Sequence, residues 1–230
     1  IKENLIIFTI NKMSWVKPLP LFVVVVAKRG SGKSTLIRDI LYGWLRSEEY
    51  KNNIARIHLF SYTNEYDREY DLPTSCISNT MDGDILNAIV EEQKKRWKST
   101  NKQKHTIIIL DDVSNFSASK KEYRYIFSTA CLGRHFGLTC ILGCHHIKAE
   151  YLPPVVRGNI THLFFTNLPQ ESLEVVRKLI TDPPSEDEFR KIVSKNTTNF
   201  YFLVVIDTTQ ETSLKKYRAK KEVYKIKFGK

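Results

Sequence analysis

The chain has 230 residues, a formal charge of +11 and 42% hydrophobic residues. That length is enough for one large α/β domain with a full core, and an ordinary apolar fraction excludes a disordered or fibrous chain. The apolar stretch Leu19 to Ala27 falls well short of the roughly 20 residues that span a bilayer, which excludes a membrane span there. The excess of cations points to a polyanionic partner.

In chain order, residues 1–20 read as a leader, disordered in part, with no secretory cleavage pattern, and Met13 offers a natural start. Residues 21–207 read as one α/β domain and 208–230 as a basic tail. Continuous apolar runs predict strands at Phe22–Ala27, Arg56–Ser61, Thr106–Asp111, Leu138–Cys144, His162–Thr166 and Phe200–Asp207. Helical periodicity fills the gaps at Lys33–Arg46, Gly83–Lys98, Lys121–Phe136, Gln170–Ile180 and Ser185–Ser194, the last opened by a capping box of Ser185 and Glu188. Such alternation predicts a mainly parallel sheet covered by helices on both faces. In an open parallel sheet, ligands sit beyond the carboxyl ends of the strands, an edge shared here by the segments after Ala27, Ser61, Asp111 and Cys144.

After the first of these strands stands A-K-R-G-S-G-K-S-T, Ala27 to Thr35, which has the pattern of a phosphate-binding loop. Gly30 and Gly32 let the backbone curl so that N–H groups point inward, and a helix starts at Lys33. Arg29, Gly30, Ser31, Gly32, Lys33, Ser34 and Thr35 are the phosphate-binding positions, with Lys33 reaching the β- and γ-phosphates and Ser34 ligating Mg²⁺. The usual opening glycine is replaced by Ala27, which is small enough for the corner.

About eighty residues on, H-T-I-I-I-L-D-D at His105 to Asp112 is an apolar strand closed by two acids and resembles a Walker B element. Asp111 is expected in the Mg²⁺ shell, and Asp112 stands where many ATPases place a glutamate that orients water. The next strand ends on His145 and His146, at the position of a polar γ-phosphate sensor, and the sequence leaves the choice between them open. Arg134 and Arg157 are candidate fingers for the transferring phosphoryl group. The four cysteines contain no C-x-x-C pair, and buried thiols explain them better than zinc. One basic cluster spans Lys94, Lys95, Arg96, Lys98, Lys102 and Lys104. A second, with Tyr217 and Tyr224 interleaved, runs from Lys215 to Lys230. Both are candidate contacts for nucleic-acid phosphates.

Together these segments resemble the FtsK–HerA superfamily of DNA-pumping ATPases, and within it the poxvirus-type genome-packaging ATPases of large DNA viruses and virophages. The resemblance rests on the loop at Ala27, F-S-Y-T-N-E-Y at Phe60, I-I-I-L-D-D at Ile107 and G-R-H-F-G-L-T-C-I-L-G-C-H-H at Gly133. It extends to L-P-P-V-V-R-G-N-I-T-H-L-F-F at Leu152 and F-Y-F-L-V-V-I-D at Phe200. It departs from the family where a histidine replaces the sensor glutamine.

The resemblance implies a P-loop NTPase fold of the RecA-like kind that uses ATP and Mg²⁺, with an arginine supplied by a neighbouring subunit. It further implies a homo-oligomeric ring at a capsid portal or vertex, driving double-stranded DNA into a preformed shell, located in the viral factory of the host cytoplasm or in the virion. Two other functions remain open on the residues alone: a small-molecule P-loop kinase, and a nucleotide-gated DNA-binding or assembly protein with little turnover.

Overall fold

In a computed structural model, the structure describes residues 8–10, 20–62, 70–112, 120–147, 152–207 and 212–219. Among the described residues nine strands form one sheet: β1 (Phe8–Ile10), β2 (Phe22–Val26), β3 (Ile54–Ser61), β4 (Ile77–Ser78), β5 (His105–Asp111), β6 (Leu138–Cys144), β7 (His162–Phe165), β8 (Tyr201–Asp207) and β9 (Thr212–Arg218). Their order is β1-β9-β8-β7-β2-β6-β5-β3-β4, and only the β7–β8 and β8–β9 pairs are antiparallel. The predicted mainly parallel sheet is therefore present, with each of the six expected strands in place.

The helices are α1 (Lys33–Arg46), α2 (Glu48–Lys51), α3 (Gly83–Ser99), α4 (Lys120–Leu132), α5 (Pro154–Arg157), α6 (Gln170–Arg177) and α7 (Glu186–Asn196). Because β2 is buried on both faces, its residues alternate between two cores. Val23 and Val25 pack with Leu36, Ile37, Ile40 and Leu41 of α1. Val24 and Val26 face the other side, with Leu86 of α3, Val176 of α6 and Phe189 of α7. Helices thus cover both faces, as parallel strands require.

Several boundaries differ from the sequence reading. The helix expected at Lys121–Phe136 ends at Leu132 and continues as a 3-10 turn at Gly133–Phe136, closed by Gly137 in the left-handed region. Ser185 does cap α7 by position, but its side chain accepts no capping hydrogen bond, so the capping box is not formed.

The segments expected as leader and tail both contribute strands: β1 lies in the first, and β9 pairs with β8 over its whole length in the second. In β9, Leu214 is buried in one core and Tyr217 in the other, three residues apart and hence on opposite faces. Between them stand Lys215 and Lys216, so neither a period-2 pattern nor an apolar run marks the strand. Tyr217 is core rather than part of a nucleic-acid surface; its hydroxyl donates to Asp39 Oδ2 of α1 at 2.6 Å. Tyr224 and the lysines from Lys220 onward lie outside the described residues.

This bond makes β9 testable as part of the fold. Tyr217→Phe should lower stability by about 1.5–3 kcal/mol, the range for a buried hydrogen bond to a charged group, measured as a fall in the denaturation midpoint at unchanged slope. A dispensable appendage would leave the midpoint where it is.

Candidate functional site

The carboxyl ends of β2, β5 and β6 lie side by side, and each supplies part of one polar assembly. After β2 the chain turns through Lys28–Ser31, with the Ser31 amide donating to the Lys28 carbonyl at 3.2 Å. Gly30 and Gly32 take φ of 75° and 85°, the left-handed backbone that the loop needs from glycine. Ala27 has ordinary backbone and is fully buried, so alanine costs nothing at the corner.

Gly32 caps α1 by position without any side-chain cap, and no acidic residue stands in the first turn. The first amides of a 14-residue helix are therefore left for an anion. Arg29, Gly30, Ser31, Gly32, Ser34 and Thr35 are exposed or partly so around this opening.

Lys33 is the exception, only 6% exposed. Its ammonium donates to Asp111 Oδ1 at 2.7 Å and to Asp112 Oδ1 at 2.8 Å. Burial pulls the Lys33 pKa down, but attraction and hydrogen bonding from Asp111, joined by Asp112, outweigh it and leave the pKa raised. Asp111, the last residue of β5, is 1% exposed. Its Oδ1 also accepts the Asp112 amide at 3.0 Å, and its Oδ2 accepts the Tyr70 hydroxyl at 2.8 Å. Asp112 leaves the strand with φ of 59°, an uncommon backbone for a residue with a side chain, which brings its carboxylate back toward Lys33.

The two histidines separate. Nε2 of His145 lies 2.8 Å from Asp112 Oδ1, and its Nδ1 lies 3.0 Å from the Ala27 carbonyl oxygen, so the ring bridges the loop and the second acid. His146 is exposed. Cys140 and Cys144 are fully buried thiols whose pKa burial pushes up to about 12. Among the described residues no group of His, Cys, Asp and Glu is arranged to hold a metal by itself.

A magnesium nucleotide fits this donor set. One buried carboxylate at Asp111 and one hydroxyl at Ser34 supply too few ligands for a protein cage, but they match Mg²⁺ that takes its remaining ligands from phosphates and water. The uncapped amides and Lys33 provide the complementary positive groups.

Arg134 and Arg157 are not brought to this assembly. Arg134 lies in the 3-10 turn before β6, and Arg157 ends α5 shortly before β7, both at the opposite edge of the sheet. The seven residues of β6 put roughly 20 Å between the two edges. Of the first basic cluster, Lys94 and Arg96 pair with Glu91 and Glu92, and Lys104 donates to the Asn52 carbonyl.

Two residues of the site carry little signal in the sequence. Tyr70, 3% exposed, comes from the chain before β4 and has no motif around it. Gly143 lies inside β6, and a Cβ there would stand 2.5 Å from Asp111 Oδ1. An isolated glycine within an apolar strand is the one available hint of such a close approach.

A buried strand running into a glycine loop and helix, with a strand two places along the sheet ending in acids beside the loop lysine, defines a P-loop nucleoside triphosphatase fold. Solved structures agree on the fold. The genome packaging NTPase B204 from Sulfolobus turreted icosahedral virus 2, in complex with ATP-gammaS, superposes with a TM-score of 0.53 at 18% identity, over 84% of this chain and 95% of that one. The pCW3 conjugation coupling protein TcpA with ATPgS gives 0.56 at 15% identity; the match covers 84% of this chain but 59% of TcpA.

Residues 11–194 match the family described as Poxvirus A32 protein, and the chain belongs to that family. Among curated relatives, Uncharacterized protein 075L of Invertebrate iridescent virus 6 is 26% identical over 195 residues, 82% of this chain and 71% of that protein. The resemblance to the poxvirus-type family drawn from the motifs is thereby borne out.

Proposed function

We propose that this chain is an ATPase that drives double-stranded viral DNA into a preformed capsid. The observation that carries the reading is Lys33 held between Asp111 and Asp112 at the mouth of the glycine loop, in a chain of the Poxvirus A32 family. The likeness to a solved genome packaging NTPase supports it.

In this reading, Ser34 and Asp111 hold Mg²⁺, which when bound offsets charge on the phosphates. Lys33 exchanges its two carboxylates for the β- and γ-phosphates, and the loop amides donate to the same oxygens. Asp112, released by Lys33, orients the attacking water and accepts its proton, while His145 holds Asp112 against the loop and is the sensor in preference to His146. Because Arg134 and Arg157 stand at the far edge of their own sheet, either reaches a phosphate only in another copy of the chain, which is how a ring would complete each site. Packaging locates the ring at a portal or capsid vertex, in the viral factory or the virion. No helix among the described residues is long and apolar enough to cross a membrane.

Basic residues contact DNA phosphates, so binding is indifferent to sequence and weakens with salt. The test is ATP hydrolysis by the purified protein with and without duplex DNA, measured across salt. DNA should raise the rate severalfold at low salt, and the stimulation should fade as salt increases. A kinase would ignore DNA, and a nucleotide-gated binding protein would turn over slowly even when saturated with it; either result overturns the reading.

A further inference from the structure

From the geometry around the loop we infer that Phe200 is the platform on which the purine base of the nucleotide stacks, an inference that rests on the proposed nucleotide site. Phe200 stands just before β8, and its side chain lies against the loop: a Cβ on Gly32 would be 3.6 Å from Phe200 Cδ1. Phe200 as a residue is nonetheless 52% exposed, unusual for a phenylalanine in contact with the main fold.

Its backbone is also uncommon. Asn199 and Phe200 take φ of 54° and 61°, both in the left-handed region, which a bulky side chain seldom enters. A turn from the Tyr201 amide to the Thr198 carbonyl at 3.2 Å holds the pair. Backbone strain of this kind is retained where the surrounding fold imposes it, and here it keeps an apolar ring at the surface beside an anion site.

Sheet order fixes which part of a nucleotide would reach it. Asp111, Asp112 and His145 follow β5 and β6, on one side of β2, so the γ-phosphate end belongs on that side. The rest of the nucleotide then leaves the loop toward β7 and β8 on the other side. β8 lies two strand spacings from β2, about 10 Å, and Phe200 opens it at the ligand edge. A half-exposed phenylalanine at that place offers a π-face and the apolar contact that a base takes from stacking.

The experiment compares ATP with inorganic tripolyphosphate, which carries the phosphates without a base, by calorimetric titration in Mg²⁺. Phe200→Ala should weaken ATP binding roughly tenfold or more, the range for losing one base-aromatic stack, and leave tripolyphosphate binding unchanged. Phe200→Trp should restore ATP affinity. If Phe200→Ala binds ATP as well as the wild type, or loses tripolyphosphate in parallel, the platform is refuted while the phosphate site stands. If the wild type binds neither compound, the nucleotide site itself fails and the platform with it.

Discussion

Replacing Lys33 with alanine should lower ATP hydrolysis by at least about 100-fold, the scale for removing one charged group that stabilises a transferring phosphoryl. The same change should destabilise the nucleotide-free protein, for a separate reason. Asp111 is 1% exposed and shares Lys33 with Asp112, so alanine leaves two carboxylates close together with no cation between them. Removing one partner of a buried ion pair costs about 3 kcal/mol or more.

The two effects can be pulled apart by adding Asp112→Asn, which removes one of the opposed charges. The double variant should recover much of the lost stability and none of the activity. Chemical denaturation and an ATPase assay on the three proteins test this; Lys33→Ala hydrolysing ATP at the wild-type rate would remove this site from consideration.

The pH dependence of this interaction has a definite sign. The pKa of Lys33 is raised in the folded protein, so the stability it contributes is complete at neutral pH and is lost only as pH climbs through that raised value. The cation is thus a constant feature of the resting site, and nucleotide must compete with the aspartates for it.

Much of this site was legible in the sequence because its parts are local. A glycine loop between an apolar strand and an amphipathic helix, and a strand ending in Asp-Asp, are patterns of a few residues whose geometry follows from backbone constraints. Where the choice depended on side-chain direction, the sequence had nothing to offer. His145 and His146 are adjacent and chemically identical, and only the folded chain turns one ring onto Ala27 and Asp112.

Tyr70 lay beyond reach for another reason: its partner Asp111 is 41 residues away, and a lone tyrosine has no signature. β9 was hidden by its charges, since Lys215, Lys216 and Arg218 gave the segment the composition of a solvated tail. The strand tolerates them because the ligand edge keeps them near solvent and aromatic faces: Lys216 lies 4.2 Å and Arg218 5.7 Å from the centre of the Tyr201 ring.

Gly143→Ala isolates the placement of Asp111 without touching an ionisable group. Glycine to alanine in a strand normally stabilises slightly, because alanine restricts the unfolded chain. Here the added methyl would stand 2.5 Å from Asp111 Oδ1 and 3.0 Å from Ile37 Cδ1.

Ile37 is fully buried and cannot retreat freely, so the carboxylate has to move. That carboxylate is pinned by Lys33, the Asp112 amide and Tyr70, and moving it disturbs all three. Overpacking of this sort costs about 1–3 kcal/mol, a loss that leaves the fold intact. Activity should suffer far more, by about 100-fold, because a shift on the order of 1 Å in a positioning group is enough for that.

The loss should be accompanied by a demand for more Mg²⁺, since Asp111 is its protein carboxylate in the proposed site. Steady-state ATPase rates of Gly143→Ala titrated with Mg²⁺, alongside its denaturation curve, measure both. A variant that is folded, as active as the wild type and unchanged in its Mg²⁺ requirement would mean that the position of Asp111 does not matter to the reaction, and the assignment of the metal to it would have to be abandoned.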